Sequence, residues 1–114
     1  MPEARIYHNP KCSTSRKTLE LLRDNGIEPA VVQYLKTPPT RDELVKMIED
    51  AGIEVHTAVR KRESLYGELN LADASDDELL DAMAENPILI ERPFVVTAKG
   101  TRLARPIDAV REIL

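Results

Sequence analysis

The sequence predicts an α/β fold, a four-stranded mixed sheet carrying an inserted helical subdomain. Three features of the 114 residues point to it. The first thirty-odd residues spell strand, helix, strand. A helix-rich stretch fills roughly 40–86. The chain then closes as strand, turn, strand and helix. This length suits one domain spanning 1–114, with the helical stretch as an insertion in it.

The first strand is read over Ala4–Tyr7, where Ile6-Tyr7 carries the signal, and His8-Asn9-Pro10 breaks it. Ser15, Leu19 and Leu22 fall at i, i+4 and i+7, and Asn25-Gly26 offers a stop, so a helix is expected over 14–25. Ala30–Tyr34 is short and rich in valine, a second strand, and strand–helix–strand implies a right-handed crossover with parallel strands. Pro38-Pro39 ends that unit. Thr40-Arg41-Asp42-Glu43 is a capping box opening a helix that carries Leu44, Ile48 and Ala51 and stops at Gly52. Val55–Leu69 reads as irregular helix around Arg60-Lys61-Arg62. Ser75-Asp76-Asp77-Glu78 is a second capping box, followed by Leu79, Met83 and an Asn86-Pro87 stop. Phe94–Thr97 is a third strand, and Thr101–Ala104 returns antiparallel after Lys99-Gly100. Pro106 is placed at the first position of a last helix carrying Ile107, Val110 and Leu114. This order is thioredoxin-like; pattern alone also supports another small α+β sandwich, and the position of the cysteine decides between them.

Composition narrows the function classes. A hydrophobic fraction of 42% with 32% charged residues is that of a folded globular chain. No apolar run reaches the roughly 20 residues of a membrane span, and Met1-Pro2-Glu3 leads into the first strand without an apolar signal segment. The expected location is therefore cytoplasmic, with no membrane partner. A net charge of −4 argues against nucleic acid as a partner. One Cys and two His build neither a disulfide framework nor a cysteine-rich zinc site, so no metal is expected. Nothing demands more than a monomer. The six acids and no base between Ser75 and Glu91 read as a solvated helix face. Met1–Arg23, by contrast, holds five basic residues against two acidic ones, and these surround the only cysteine.

Cys12 falls at or just before the first turn of the first helix, where free amides and the helix dipole favour a thiolate. Lys11 and Arg16 add positive charge, and His8 adds more when protonated. Ser13, Thr14 and Ser15 supply hydroxyls and main-chain donors. A lone cysteine is commonly a buried structural residue; flanked by Lys, Ser, Thr and Ser, this one reads as exposed and reactive. Ser15 occupies the position where a CxxC motif has its second cysteine, so any redox cycle borrows its second thiol from outside, and glutathione is the cytosolic donor at hand. Cys12-Ser13-Thr14-Ser15-Arg16 also lacks the C-x5-R spacing of thiol phosphatases.

The run from His8-Asn9-Pro10-Lys11-Cys12 through Ser13-Thr14-Ser15-Arg16-Lys17-Thr18-Leu19 resembles the signature of the glutaredoxin-coupled arsenate reductase (ArsC) family. The resemblance extends through Tyr34-Leu35, Pro38-Pro39, Val59-Arg60-Lys61, Asn86–Pro93 and Thr101–Pro106, essentially the whole chain. It implies a thioredoxin-like fold with a helical insertion and an enzyme that reduces arsenate with glutathione as co-substrate, glutaredoxin as partner and no bound cofactor. By motif match, Cys12 attacks arsenic. Arg60, Arg92 and Arg105 hold the oxyanion, which suits guanidinium groups because they bind tetrahedral oxygens in bidentate fashion and stay charged. His8 and Ser15 help keep the thiol ionised. Arg92 and Arg105 each precede a proline, and Pro93 resembles the proline beside thioredoxin-like active sites. His56 has no motif behind it and reads as a surface or boundary residue. The sequence ends at Leu114, where some members continue, and has Phe94 where many carry a smaller aliphatic; both fit a short-chain branch. Two other functions are weighed. One is a regulator resembling the Spx family, which contacts RNA polymerase and typically carries CxxC; here Ser15 removes that second thiol, and Arg60 and Arg105 are left without a role. The other is a glutathione-dependent thiol reductase of another substrate.

Overall fold

The computed structural model describes residues 4–114; Met1-Pro2-Glu3, read above as free of an apolar segment, lie outside the described residues. The chain forms two compact units, one from the residues up to Thr37 together with Arg92–Leu114, the other from Pro38–Glu91.

The first unit holds the sheet. Strands β1 (Arg5–His8), β2 (Ala30–Gln33), β3 (Phe94–Thr97) and β4 (Gly100–Leu103) are ordered β2-β1-β3-β4. β1 runs parallel to β2, with Ile6 opposite Val31, and antiparallel to β3, with Ile6 opposite Val95; β3 and β4 form an antiparallel hairpin. This is the mixed four-stranded sheet expected. Ile6, Tyr7 and His8 are all buried, as befits a central strand covered on both faces, whereas edge strand β2 alternates half-buried and exposed positions.

Helix α1 (Ser13–Asp24) connects β1 to β2. Its fully inward stripe is Ser15, Thr18 and Leu22, and Leu19 is only partly buried. Thr18 takes the inner position because its hydroxyl donates to the Thr14 carbonyl at 2.7 Å, so no polar group is left bare. The helix ends where Gly26 adopts φ +77°, with Gly26 N–H on the Arg23 carbonyl and Ile27 N–H on the Leu22 carbonyl, a Schellman closure that requires a residue tolerant of positive φ. Leu22 packs with Ile6, Val95, Ala104, Val110 and Ile113 into the core of this unit.

The closing helix differs from expectation. Ile107–Ile113 is 3₁₀, and Pro106 is its N-cap in extended conformation rather than its first helical residue. The 3₁₀ repeat of three residues per turn brings Ile107, Val110 and Ile113 onto one side, so Ile113 is buried where the 3.6-residue reading chose Leu114.

The second unit is helical. α2 (Arg41–Ala51) has the complete Thr40/Glu43 capping box and ends at left-handed Gly52. Two short helices follow, α3 (Val55–Ala58) and α4 (Ser64–Glu68), with Arg60-Lys61-Arg62 between them. A 3₁₀ turn at Leu71–Asp73 leads to α5 (Asp76–Glu85), which has the complete Ser75/Glu78 box. Both boxes form because the sequence signal and the hydrogen bonds that it specifies are local. The acidic face of α5 is solvated, and Arg41 reaches it with hydrogen bonds to Asp77 and Asp81 of 3.0 and 2.7 Å. This unit runs beyond residue 86. A 3₁₀ turn at Pro87–Leu89, a bridge from Ile90 to Val59 and the Glu91 N–H bond to the Ala58 carbonyl tie that segment to α3.

Candidate active site

The end of β1, the loop into α1 and the segments flanking the β3–β4 hairpin bring five of the candidate residues together. Cys12 is the N-cap of α1, and its carbonyl accepts the first helical bond from Arg16 N–H at 3.0 Å. Contrary to the expectation of exposure, Cys12 is only 9% accessible. Its flanks are polar, but groups from the far end of the chain cover it. Arg105 Nη2 lies 3.8 Å from Sγ, and Arg105 Nε donates to the Arg92 carbonyl at 2.9 Å, which fixes the direction of the guanidinium. Arg92 is itself buried. Both Arg92–Pro93 and Arg105–Pro106 are cis peptides, and the Pro93 carbonyl accepts the Ala104 N–H at 2.9 Å.

Burial pushes the Cys12 thiol up. Against it act the Ser15 N–H, the charge of Arg92, the Thr14 N–H and the charge of Arg105, and together they hold the pKa below its ordinary value. The cations that matter are therefore Arg92 and Arg105. Lys11 and Arg16, chosen from sequence proximity, are not among them: Lys11 is exposed, and Arg16 spends a donor on the Pro10 carbonyl at 2.8 Å.

His8 is buried at the end of β1, with Nδ1 2.6 Å from Ser15 Oγ; Ser15, also buried, accepts the Asn9 N–H at 3.0 Å. Burial first, then the charges of Arg23 and Arg16, push the His8 pKa below its ordinary value. The lowered pKa favours the neutral imidazole near pH 7, so the condition under which His8 would add positive charge is not favoured there. Its influence runs through the Ser15 hydroxyl. Protonated on Nε2, it accepts the Ser15 O–H; protonated on Nδ1, it donates to Oγ and frees that O–H for another acceptor.

Arg60 belongs to the helical unit. Its N–H bonds the Leu89 carbonyl at 2.6 Å, and its Nη1 donates to Glu63 Oε2 at 3.3 Å. His56 lies in the same unit, half-buried, donating through Nε2 to the Ala74 carbonyl at 3.1 Å, which agrees with a boundary position. Among the described residues, no group of three or more His, Cys, Asp or Glu is placed to hold a metal ion, and no helix is long and apolar enough to cross a membrane. Residue-by-residue reading missed Asn9, which it used only as a strand breaker. An Asn-Pro pair is a turn-initiating signal, and the Asn9 carbonyl and side chain organise the loop that carries Cys12.

This arrangement, a thiol of lowered pKa at a helix N-terminus with the Arg105 guanidinium beside it and the charge of Arg92 acting on it, is suited to nucleophilic attack on a tetrahedral oxyanion. Comparison with known proteins agrees. An arsenate reductase of Escherichia coli is 56% identical over 116 aligned residues, covering 100% of this chain and 82% of that protein. One from Rhizobium meliloti is 58% identical over 111, covering 96% and 79%. The solved structure of an arsenate reductase from Vibrio cholerae matches with a TM-score of 0.91 at 51% identity, covering 97% of each chain. The model of the ArsC family matches residues 7–113. The chain belongs to the ArsC family.

Proposed function

We propose that this chain is an arsenate reductase that uses glutathione and glutaredoxin in the cytosol, with Cys12 as nucleophile and Arg60, Arg92 and Arg105 as oxyanion ligands. The observation that carries the reading is Arg105 Nη2 at 3.8 Å from Cys12 Sγ, with its Nε anchored on the Arg92 carbonyl. A guanidinium there favours the thiolate first and then faces the oxygens that arrive with arsenic. The likeness to arsenate reductases over nearly the whole chain supports the same substrate.

The Cys12 thiolate attacks arsenic and forms an S–As bond. One arsenate oxygen leaves as water after protonation, giving a Cys12–S–As(V) adduct. Cys12 is the only cysteine of the chain, so the two electrons that take arsenic to the trivalent state come from outside thiols. Glutathione condenses with the adduct, displacing a second oxygen as water. A glutaredoxin thiolate then attacks the glutathione sulfur; the S–S bond formed releases the electron pair of the broken S–As bond to arsenic. Water displaces the remaining Cys12–S–As(III) bond, giving arsenite and the starting thiolate. Arg60, Arg92 and Arg105 hold the arsenic oxygens throughout. No bound cofactor is required.

Arsenite formation is measured with glutathione and glutaredoxin each supplied or omitted, and with thioredoxin in place of glutaredoxin. Turnover needing both glutathione and glutaredoxin is the expected result. Full-rate reduction with thioredoxin and no glutathione overturns the mechanism.

A further inference from the structure

We propose that Asn9 is a positioning residue for the nucleophile, folding the β1–α1 loop so that Cys12 Sγ is set at the free amides of α1. The inference rests on the reading of Cys12 as the attacking residue, and it gives the Asn9 side chain the task of closing the turn that leads into Cys12. Three of the four polar groups of Asn9 are engaged within six residues of chain. Its carbonyl accepts the Cys12 N–H at 3.0 Å, its Oδ1 accepts the Lys11 N–H at 3.0 Å, and its N–H donates to Ser15 Oγ at 3.0 Å. The first two bonds wrap Pro10-Lys11 into a turn closed by the Asn9 side chain, and the third fastens the start of that turn to the first turn of the helix. The residue also follows His8, whose ring holds the same Ser15 hydroxyl. Asn9 thus joins the His8–Ser15 pair to the main chain of Cys12. Pro10 restricts Asn9 to extended backbone whatever its side chain, so substitutions there read out the side chain alone.

The test is the pH midpoint of Cys12 alkylation by iodoacetamide on the full chain, which needs no arsenate. The charged and titratable groups facing the sulfur are Arg92 before β3, Arg105 after β4 and His8 through Ser15, and all are retained in the variants. Asn9→Ala removes the acceptor for Lys11 N–H, letting the sulfur drift from the amides. The midpoint is expected to rise by about half a pH unit, a roughly threefold loss of thiolate at pH values below both midpoints. Asn9→Gln keeps the amide but is too long to close the same turn, and it is expected to rise likewise; it also serves if the Ala variant does not fold. Asn9→Ser, whose hydroxyl makes the same turn more weakly, recovers part of the shift. Midpoints at the wild-type value in folded Asn9→Ala or Asn9→Gln overturn the proposal, as does a Ser variant no better than Ala. Failure of the wild-type chain to reduce arsenate, with these midpoints moving as stated, refutes the proposed function and leaves this inference standing.

Discussion

Removing the guanidinium of Arg105 separates two tasks that the proposed function gives to one side chain. Its Nη2 is 3.8 Å from Cys12 Sγ. A full charge pair at that distance is worth about 1 kcal/mol in bulk water and about 4 kcal/mol at an effective dielectric constant of about 20. Cys12 is nearly covered but Arg105 is half-exposed, so solvent screening keeps the figure toward the lower end. Arg105→Ala is then expected to raise the Cys12 pKa by about 1 unit, equivalent to roughly tenfold less thiolate below both midpoints. Alkylation by iodoacetamide, followed from acidic to alkaline pH, reads that shift. Above both midpoints the variant alkylates as fast as wild type, because the nucleophile itself is intact. Arsenate reduction is expected to stay depressed there, since the missing fork no longer holds the oxyanion. Arg105→Lys keeps a charge but loses the Nε bond to the Arg92 carbonyl and the planar fork, so it restores the midpoint better than the turnover. An unshifted midpoint in Arg105→Ala, or turnover fully recovered at alkaline pH, refutes the reasoning.

Two further perturbations probe the pair behind the thiol. His8 has its pKa lowered by burial and by Arg23 and Arg16, so between that lowered value and about 6.5 the unfolded chain binds more protons than the folded one. Stability therefore falls as pH drops through that window; urea midpoints recorded across it should decline, with a shallower slope in His8→Gln, and an NMR titration placing His8 at or above its ordinary pKa contradicts the assignment. Ser15→Ala leaves His8 Nδ1 and the Asn9 N–H without their shared buried partner, an expected loss of about 2 kcal/mol in denaturant melts; a loss under about 0.5 kcal/mol shows that the hydroxyl is not holding them.

What the sequence made legible was whatever depends on neighbours in the chain. The capping boxes at Thr40 and Ser75, the closure at Asn25-Gly26 and the placing of Cys12 at the start of α1 are written in residues four or fewer apart, and each is present. Long-range electrostatics were not legible. Adjacency in sequence points to Lys11 and Arg16 as counter-charges for Cys12, whereas the acting cations are Arg92 and Arg105, eighty and more residues away and indicated by the sequence only through the family resemblance. The same blindness hid the burial of Cys12 and of His8, whose pKa is lowered first by that burial and then by the charges of Arg23 and Arg16 once α1 folds back along the sheet. At the C-terminus the apolar pattern Ile107, Val110, Ile113, Leu114 fits a period of 3.0 or 3.6, and packing of Ile113 into the core selects the tighter helix.

The central claim is that arsenic passes through a covalent bond to Cys12. Intact-mass analysis of the protein after incubation with arsenate and glutathione, with glutaredoxin withheld, tests it most directly. The expected species carries one arsenic and one glutathione on the Cys12 peptide, disappears when glutaredoxin is added as arsenite is released, and is missing from Cys12→Ser, which turns over no arsenate. Arsenite produced at an undiminished rate by Cys12→Ser, or arsenic found on any other residue of a turning-over enzyme, contradicts the account.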